Sequence, residues 1–302
     1  MSKMQENFNM LNERVLDALN KTNLEETRST LSSIKTPTIV TGVGGSKVVA
    51  VFTSKILAKK NGIISTSLEP RDIIYTSLNG YDNVLSCSYS GTNFGVQTSF
   101  QNNLNKYLLS STRVPNITNI TYDTSLPKEH SFISLAATLI PMTIMLDYYL
   151  DGNNIVLELL NQESPLIEPH PVYEIMSGID TETPHTYLES TMLEAGLAIP
   201  LVHDKYSYCH GRSTSSFHNN HSLIYFDKDT ELDRLMLEEL KEYYNKIIVL
   251  KSKYQDPIID EHDLTIKSML LTKVLAEKTG KDLSKVEYSP VVKKLYKYQG
   301  QM

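Results

Sequence analysis

The sequence predicts an α/β protein built from two units, each a parallel β-sheet with helices on both faces. Three observations lead to this prediction. Short runs of β-branched and apolar residues alternate with segments of helical periodicity, as expected for parallel strands joined by helices. Glycine-rich or serine-rich turns follow two of these runs. Segment 161–171 has three prolines and little periodicity, which is typical of a linker between units.

The segment before Pro37 predicts a helical leader. Apolar residues recur at helical spacing at Phe8, Leu11, Val15 and Leu19, opposite a polar face. Proline has no backbone N–H and cannot continue a helix, so we expect the leader to end at Pro37.

The two units have a similar predicted layout, although no residue-level repeat is present. The predicted boundaries are a leader at 1–36, a first unit at 37–165 and a second unit at 166–302. In the first unit the predicted strands are 38–41, 63–66, 83–87 and 116–122, with helices at 48–57 and after Pro127. In the second unit the predicted helices are 187–197, 231–244 and 265–278, and the predicted strands are 221–226 and 246–250.

Composition excludes several classes of function. The formal net charge of −6 over 302 residues offers no basic excess to offset nucleic-acid phosphates. The N-terminus has no apolar segment typical of a secretion signal. The most apolar stretch, 132–150, is interrupted by polar residues and proline, which predicts a buried helix rather than a membrane span. We therefore expect a cytoplasmic protein without a nucleic-acid or membrane partner.

A glycine-rich turn follows the first predicted strand and opens a helix. Gly44, Gly45 and Ser46 lie in this turn, where glycines let a ligand approach the backbone and free amides attract an anion. The turn lacks the spacing of a dinucleotide-binding or Walker motif. A turn of this kind without a ligand is equally compatible with the sequence.

A second turn, segment 88–93, carries more specific chemistry. Ser88, Ser90, Thr92 and Asn93 surround Gly91 between a strand and a helix. Hydroxyl and amide donors, together with backbone N–H groups, form a neutral cradle for a phosphate. The alternative is a serine-rich helix cap without a ligand.

These two turns, at the ends of the first and third predicted strands, resemble the sugar isomerase (SIS) domain family, including the isomerase domain of glucosamine-6-phosphate synthase. The resemblance covers about residues 37–300 and implies two flavodoxin-like, doubly wound subdomains. It implies that Ser88, Ser90, Thr92 and Asn93 bind the phosphate of a sugar. By the same resemblance, Gly44, Gly45 and Ser46 lie near the sugar, and Ser134 corresponds to a family serine.

Two further residues match the family's catalytic pair. Glu194 lies on a predicted helix and precedes His210-Gly211 by 16 residues, the family's spacing between a catalytic glutamate and histidine. The resemblance implies that Glu194 shuttles a proton and that His210 opens the sugar ring from a neighbouring subunit of a homodimer. Both residue types suit proton transfer near neutral pH. Glu189, on the same helix, is the alternative carboxylate.

Two departures from the family pattern concern cationic residues. Arg212 follows His210-Gly211 where the family has proline, and an arginine there can bind a second carboxylate or phosphate. The family also has a C-terminal lysine that reaches the sugar carbonyl. Lys294 and Lys297 are the candidates here, although the family's signature around that lysine is absent.

The remaining histidines and cysteines predict no metal or redox site. His203, His218 and His221 have polar neighbours and no cysteine or acidic partner in the sequence, which favours a polar loop with incidental histidines. Cys87 and Cys209 lack metal-ligand spacing and are expected to be reduced thiols. No cofactor is expected.

The sequence thus predicts a homodimeric phosphosugar-binding protein. The leading hypothesis is an aldose–ketose isomerase or deglycase that enolises a sugar phosphate at C1–C2. One alternative is a sensor that binds a sugar phosphate without turning it over. Another is an isomerase of the phosphoglucose or phosphomannose type.

Overall fold

The computed structural model describes residues 2–152, 156–217 and 220–285, together with 290, 291 and 294. It contains two parallel β-sheets with helices packed between and around them. None of the helices in these ranges is long and apolar enough to cross a membrane.

Three helices precede the first sheet: α1 (Lys3–Asn9), α2 (Leu11–Lys21) and α3 (Leu24–Ser33). Val15 and Ala18 of α2 are completely buried, and α2 packs against a helix of the first unit. The predicted leader is therefore part of the hydrophobic core.

The first sheet is parallel with the strand order β2-β1-β3-β4-β5. Its strands are β1 (Thr38–Thr41), β2 (Ser65–Leu68), β3 (Asn83–Cys87), β4 (Asn105–Ser110) and β5 (Thr118–Thr121). Its helices are α4 (Gly45–Ile56), α5 (Phe94–Ser99), α6 (Ala136–Tyr149) and α7 (Val156–Leu160). β1 and β3 are buried throughout, as expected for central strands covered on both faces.

The second sheet repeats this layout in the order β7-β6-β8-β9, again all parallel. Its strands are β6 (Val172–Ser177), β7 (Ile199–Asp204), β8 (Ser222–Asp227) and β9 (Lys246–Lys251). Its helices are α8 (Glu182–Glu194), α9 (Ser213–Phe217), α10 (Glu231–Glu239) and α11 (Pro257–Thr279). β6, β7, β8 and β9 thus take the places of β1, β2, β3 and β4.

The two units share one core. A single cluster of buried apolar residues runs from α2 through α4 and α6 to α8 and α11. The Lys55 ammonium of α4 forms an ion pair with the buried Glu261 carboxylate of α11, and Thr183 of α8 donates a hydrogen bond to the same carboxylate. Segment 161–170 between the units forms no helix or strand.

The α/β class and the two parallel sheets predicted from the sequence are confirmed, but three strands were not predicted. Only the last three residues of β4 are buried, so its apolar run is short. β6 contains the buried Glu174. β7 lies at a sheet edge, where Pro200 is tolerated because no neighbour needs its missing N–H. In each of these strands, polar residues or a proline interrupt the apolar pattern from which a strand is predicted.

Two predicted helices begin earlier than the sequence indicated. α8 starts at Glu182 rather than 187, and α11 starts at Pro257 rather than 265. The first turns of α11 bury charged residues at Asp260, Glu261 and Asp263, which masks the apolar periodicity.

Candidate functional site

The candidate site lies at the carboxyl edge of the first sheet, between the loops after β1 and β3. The connection after β1 runs to β2 on one side, and the connection after the neighbouring β3 runs to β4 on the opposite side, so the strand order changes direction between β1 and β3. In open α/β sheets, ligands bind in the crevice at such a point. Gly44 caps α4 with a positive φ of 58°, and segment 88–93, here named the Ser-Gly loop, connects β3 to α5.

The Ser-Gly loop is held in shape by its own side chains. The Ser88 hydroxyl is buried and accepts hydrogen bonds from the Gly91 N–H at 3.2 Å and from Asn93 Nδ2 at 3.1 Å. Asn93 Oδ1 accepts from the Val96 N–H at 3.0 Å and caps α5. Because a hydroxyl can accept two bonds and still donate one, the Ser88 hydrogen remains available to a ligand.

Gly91 is required at its position for two reasons. Its φ is +67°, a left-handed conformation that costs an L-residue with a side chain roughly 1–2 kcal/mol. A Cβ atom there would lie 3.0 Å from Ser110 Oγ and 3.2 Å from both Leu108 Cδ2 and Val114 Cγ2. The loop therefore bends against the end of β4 with no room for a side chain.

A cavity of about 230 Å³ opens beside this loop. Polar side chains that line it come from α4, the Ser-Gly loop and the loop before α6, namely Ser46, Ser88, Ser90, Asn93, Thr124 and Ser134. Ala136, Ala137 and Ile140 of α6 form an apolar wall. Five of the predicted site residues thus line one cavity, whereas Gly44, Gly45 and Thr92 lie beside it without lining it.

The predicted catalytic residues lie elsewhere in the single chain. Glu194 is exposed at the C-terminal end of α8, where it accepts a hydrogen bond from the Ser190 hydroxyl at 2.7 Å. His210 and Arg212 are exposed in the turn between β7 and α9. Lys294 is exposed. None of these four residues lines the cavity.

Two alternative candidates were Glu189 and Lys297. Glu189, the alternative carboxylate, is half-buried on α8 and does not line the cavity. Lys297 falls outside the described residues.

Three charged residues that the sequence analysis did not select do line the cavity. They are Arg14 of α2 and Lys128 and Glu129 of the loop between β5 and α6. Lys128 Nζ lies 4.8 Å from the centroid of the Tyr89 ring, a cation–π arrangement at the cavity wall. The sequence did contain a signal for Lys128 and Glu129. Both follow a predicted strand, and loops that follow parallel strands share the carboxyl edge of a sheet.

Glu129 is fixed by backbone amides at the start of α6. Oε1 accepts from the Leu135 N–H at 3.2 Å and Oε2 from the Ala136 N–H at 2.8 Å. Burial raises the pKa of this carboxyl group, while these amides and the charge of Arg14 act in the opposite direction. The cavity therefore combines neutral hydroxyl donors with two cationic side chains and one carboxyl group.

Two of the histidines that the sequence assigned to a polar loop, His203 and His221, meet instead at a buried carboxylate. Glu174 is completely buried, with His221 Nδ1 at 2.7 Å from Oε1 and His203 Nε2 at 3.0 Å from Oε2. Tyr244 and Ser216 also donate to Glu174. Burial alone would raise the pKa of this carboxyl group, but these hydrogen bonds lower it to about 2. His218 lies outside the described residues.

In the second sheet, an ion pair occupies the corresponding edge. The loop after β8 is the counterpart of the Ser-Gly loop, and Asp233 lies in the first turn of the helix that follows it. The buried Lys205 ammonium is 3.1 Å from the Asp233 carboxylate, which also accepts from Tyr225 and Thr230. The polar groups at this edge are therefore already bonded to each other.

No three His, Cys, Asp or Glu side chains in the described ranges are grouped so that they could hold a metal ion. Cys87 is buried, and burial raises the pKa of its thiol to about 12, which keeps it protonated and unreactive. Cys209 is exposed.

No family model and no curated protein sequence matches the chain. Solved structures match it along nearly its whole length. The tagatose-6-phosphate ketose/aldose isomerase of Escherichia coli shares 13% identity at a TM-score of 0.69, with 96% of each chain covered. The glucosamine-6-phosphate deaminase of Thermotoga maritima shares 14% identity at a TM-score of 0.67, covering 95% of this chain and 98% of the other.

The C-terminal domain of glucosamine-fructose-6-phosphate aminotransferase from Francisella tularensis is also similar. It shares 13% identity at a TM-score of 0.63, covering 94% of this chain and 98% of that domain. The fold that the two turns led us to expect is confirmed by these similarities. The chain has the double-sheet fold of the phosphosugar isomerase structures.

Proposed function

We propose that this protein binds a phosphorylated sugar in the cavity at the carboxyl edge of the first sheet. The observation that carries the proposal is that Ser88, Ser90 and Asn93 of the Ser-Gly loop share this cavity with Ser46 and Ser134. Their hydroxyl and amide groups can donate several hydrogen bonds to a phosphate. The sugar then extends toward Ser46 and the apolar wall of α6.

A panel of sugar phosphates and their unphosphorylated sugars tests this binding by calorimetry. We expect only the phosphorylated members to bind, and Ser90→Ala to weaken binding by about tenfold, the effect of one lost charge-assisted hydrogen bond. Ser33→Ala is the matched control, because Ser33 is exposed on α3 and donates only to the Thr30 carbonyl. If no phosphorylated sugar binds, the proposal fails.

We further propose that the bound sugar phosphate is enolised at C1–C2, in an aldose–ketose isomerase or deglycase reaction. The similarity to a ketose/aldose isomerase structure supports this reaction. In the proposal, Glu194 transfers the proton, His210 of a second subunit opens the ring, and Lys294 approaches the sugar carbonyl. This arrangement requires a homodimer, and light scattering in solution would detect one. A cytoplasmic location is part of the same proposal.

Glu129 is a second candidate for the proton transfer. It lines the cavity, and burial raises the pKa of its carboxyl group, as a general base working near neutral pH requires. Exchange of the C2 proton with deuterated water, followed by NMR, compares the two carboxylates. Loss of exchange in Glu194→Gln with binding retained supports Glu194, and the same result in Glu129→Gln supports Glu129.

A sugar-phosphate sensor is the second candidate function. One observation favours it: neither Glu194 nor His210 lines the cavity of the single chain. A sensor would bind phosphosugars in the calorimetric panel but never exchange their C2 proton. The same two experiments therefore separate the enzyme from the sensor.

A further inference from the structure

Arg14 is a buried cation at the wall of the cavity. Its side chain lies on α2, and the residue is only 7% exposed. Both Nε and Nη1 are buried and have no partner among the described residues. Arg14 also lines the cavity that contains the Ser-Gly loop.

Burial without hydrogen-bond partners is energetically unfavourable for a guanidinium group. A buried charge normally has a bonded partner, because removing it from water is unfavourable. Lys205 shows the usual arrangement, with its buried ammonium 3.1 Å from the Asp233 carboxylate. The Glu129 carboxylate acts on Arg14 as a nearby charge, and its oxygens accept from the amides of α6. Among the described residues, the Nε and Nη1 donors of Arg14 therefore lie unpaired at a residue that lines the cavity, and an anion in the cavity is the candidate partner.

The position of Arg14 is fixed by the helix that carries it. Asp17, one turn further along α2, accepts hydrogen bonds from the Thr124 and Ser125 hydroxyls at 2.6 and 2.5 Å. It also accepts from the backbone N–H groups of Ser125 and Leu126. These bonds lower the pKa of Asp17 to about 2. They attach α2 to the loop that carries Lys128, so both cations are held at the same cavity.

We propose that Arg14 binds a second anionic group of the ligand, a carboxylate or a second phosphate, while the Ser-Gly loop binds the first phosphate. This inference rests on the proposed phosphosugar binding. The planar guanidinium fork matches the oxygens of a carboxylate or phosphate. Lys128 adds a second positive charge at the same cavity. The sequence predicted Arg212 as the residue that binds a second anionic group. Arg212 is exposed in the turn between β7 and α9 and does not line this cavity.

Two pairs of ligands test the proposal with the wild-type protein. Each pair differs in one added anionic group: glucose 6-phosphate with 6-phosphogluconate, and fructose 6-phosphate with fructose 1,6-bisphosphate. Calorimetry should show that the member with two anionic groups binds at least about tenfold more tightly in one pair. A preference in the first pair identifies a carboxylate, and a preference in the second identifies a phosphate. Equal affinities in both pairs would overturn the proposal.

Variants then assign the preference to Arg14. In Arg14→Met we expect the preference to disappear while the affinity for glucose 6-phosphate changes less than about twofold. Arg14→Lys, which keeps the charge but loses the fork, should retain only part of the preference. Arg113→Met is the matched control, because Arg113 is exposed and paired with Glu26 at 3.5 Å. An equal loss of affinity for both members of a pair would show that Arg14 has no role in a second anion site.

Circular dichroism and thermal denaturation check that each variant folds. If Arg14→Met does not fold, Arg14→Lys and the wild-type ligand pairs still test whether Arg14 binds a second anionic group. The binding results also distinguish failure of the proposed function from failure of the proposed role of Arg14. If no phosphorylated sugar binds, the proposed function is wrong. If glucose 6-phosphate binds but no ligand with two anionic groups binds more tightly, only the role of Arg14 is wrong.

Discussion

The substitution Gly91→Ala tests how tightly the Ser-Gly loop is constrained. At a φ of +67°, an alanine costs roughly 1–2 kcal/mol in backbone conformation. Its Cβ would also lie 3.0 Å from Ser110 Oγ and 3.2 Å from the side chains of Leu108 and Val114. Overpacking of this kind adds about 1–3 kcal/mol. We therefore expect the free energy of unfolding to fall by about 2–5 kcal/mol.

Gly62 provides a matched control in the same chain. Its φ is +68°, and no atom lies within 4 Å of the position that a Cβ would take. The substitution Gly62→Ala should cost only the conformational part, roughly 1–2 kcal/mol. The difference between the two variants, about 1–3 kcal/mol, then measures the crowding around the loop.

Urea denaturation of both variants supplies the two free energies, and calorimetry with glucose 6-phosphate supplies the binding constants. We expect Gly91→Ala to bind at least about tenfold more weakly, because the Gly91 N–H and the Ser88 hydroxyl move apart. Gly62→Ala should bind like the wild type. Equal destabilisation in the two variants would refute the argument that the end of β4 leaves no room at Gly91.

Three further predictions follow from the contacts around the site and the core. Asp17→Asn should lower the free energy of unfolding by about 1 kcal/mol, because the bonds to loop 124–126 lose their charge; an unchanged urea midpoint would contradict this. In Gly45→Ala a Cβ would lie 2.6 Å from Thr138 Oγ1, so a lower melting temperature is expected. Burial lowers the pKa of His262 to about 3, so the folded protein keeps it neutral while the unfolded chain binds a proton below about pH 6.5. From about pH 7 to about pH 5 the wild type should lose about 2 kcal/mol more stability than His262→Gln, and parallel losses would rule this out.

The sequence predicts the fold class well because the strands next to the site are simple. β1 and β3 are short and fully buried, and each has two adjacent apolar residues at its centre. A turn rich in glycine or serine follows each of them. A strand with a buried charged residue is harder to predict. Glu174 interrupts the apolar pattern of β6, and its partners are His203 of β7 and His221, which immediately precedes β8. Nothing in the local sequence shows that these residues will meet.

The candidate site likewise contains some residues that the sequence predicts and others that it does not. Ser88, Ser90 and Asn93 could be predicted because one local turn contains them. Arg14 and Glu129 could not be placed, since α2 reaches the cavity through contacts that are distant in sequence, namely its packing against α6 and its bonds to the loop after β5. One clue was still present in the sequence. Arg14 lies beside Val15 and one turn from Leu11 and Ala18, which are buried, and an arginine within an apolar stripe often has a specific partner.

The two units provide an internal reason to place the ligand in the first one. Both have the same strand order around their carboxyl edges. In the second unit Asp233 occupies this edge with Lys205 and Tyr225 as bonded partners. An entering phosphate would meet a carboxylate there and would have to displace its counter-ion, which is unfavourable in a buried setting. In the first unit Ser90 and Asn93 offer neutral donors at the corresponding position, which favours the first unit as the site of the proposed anion.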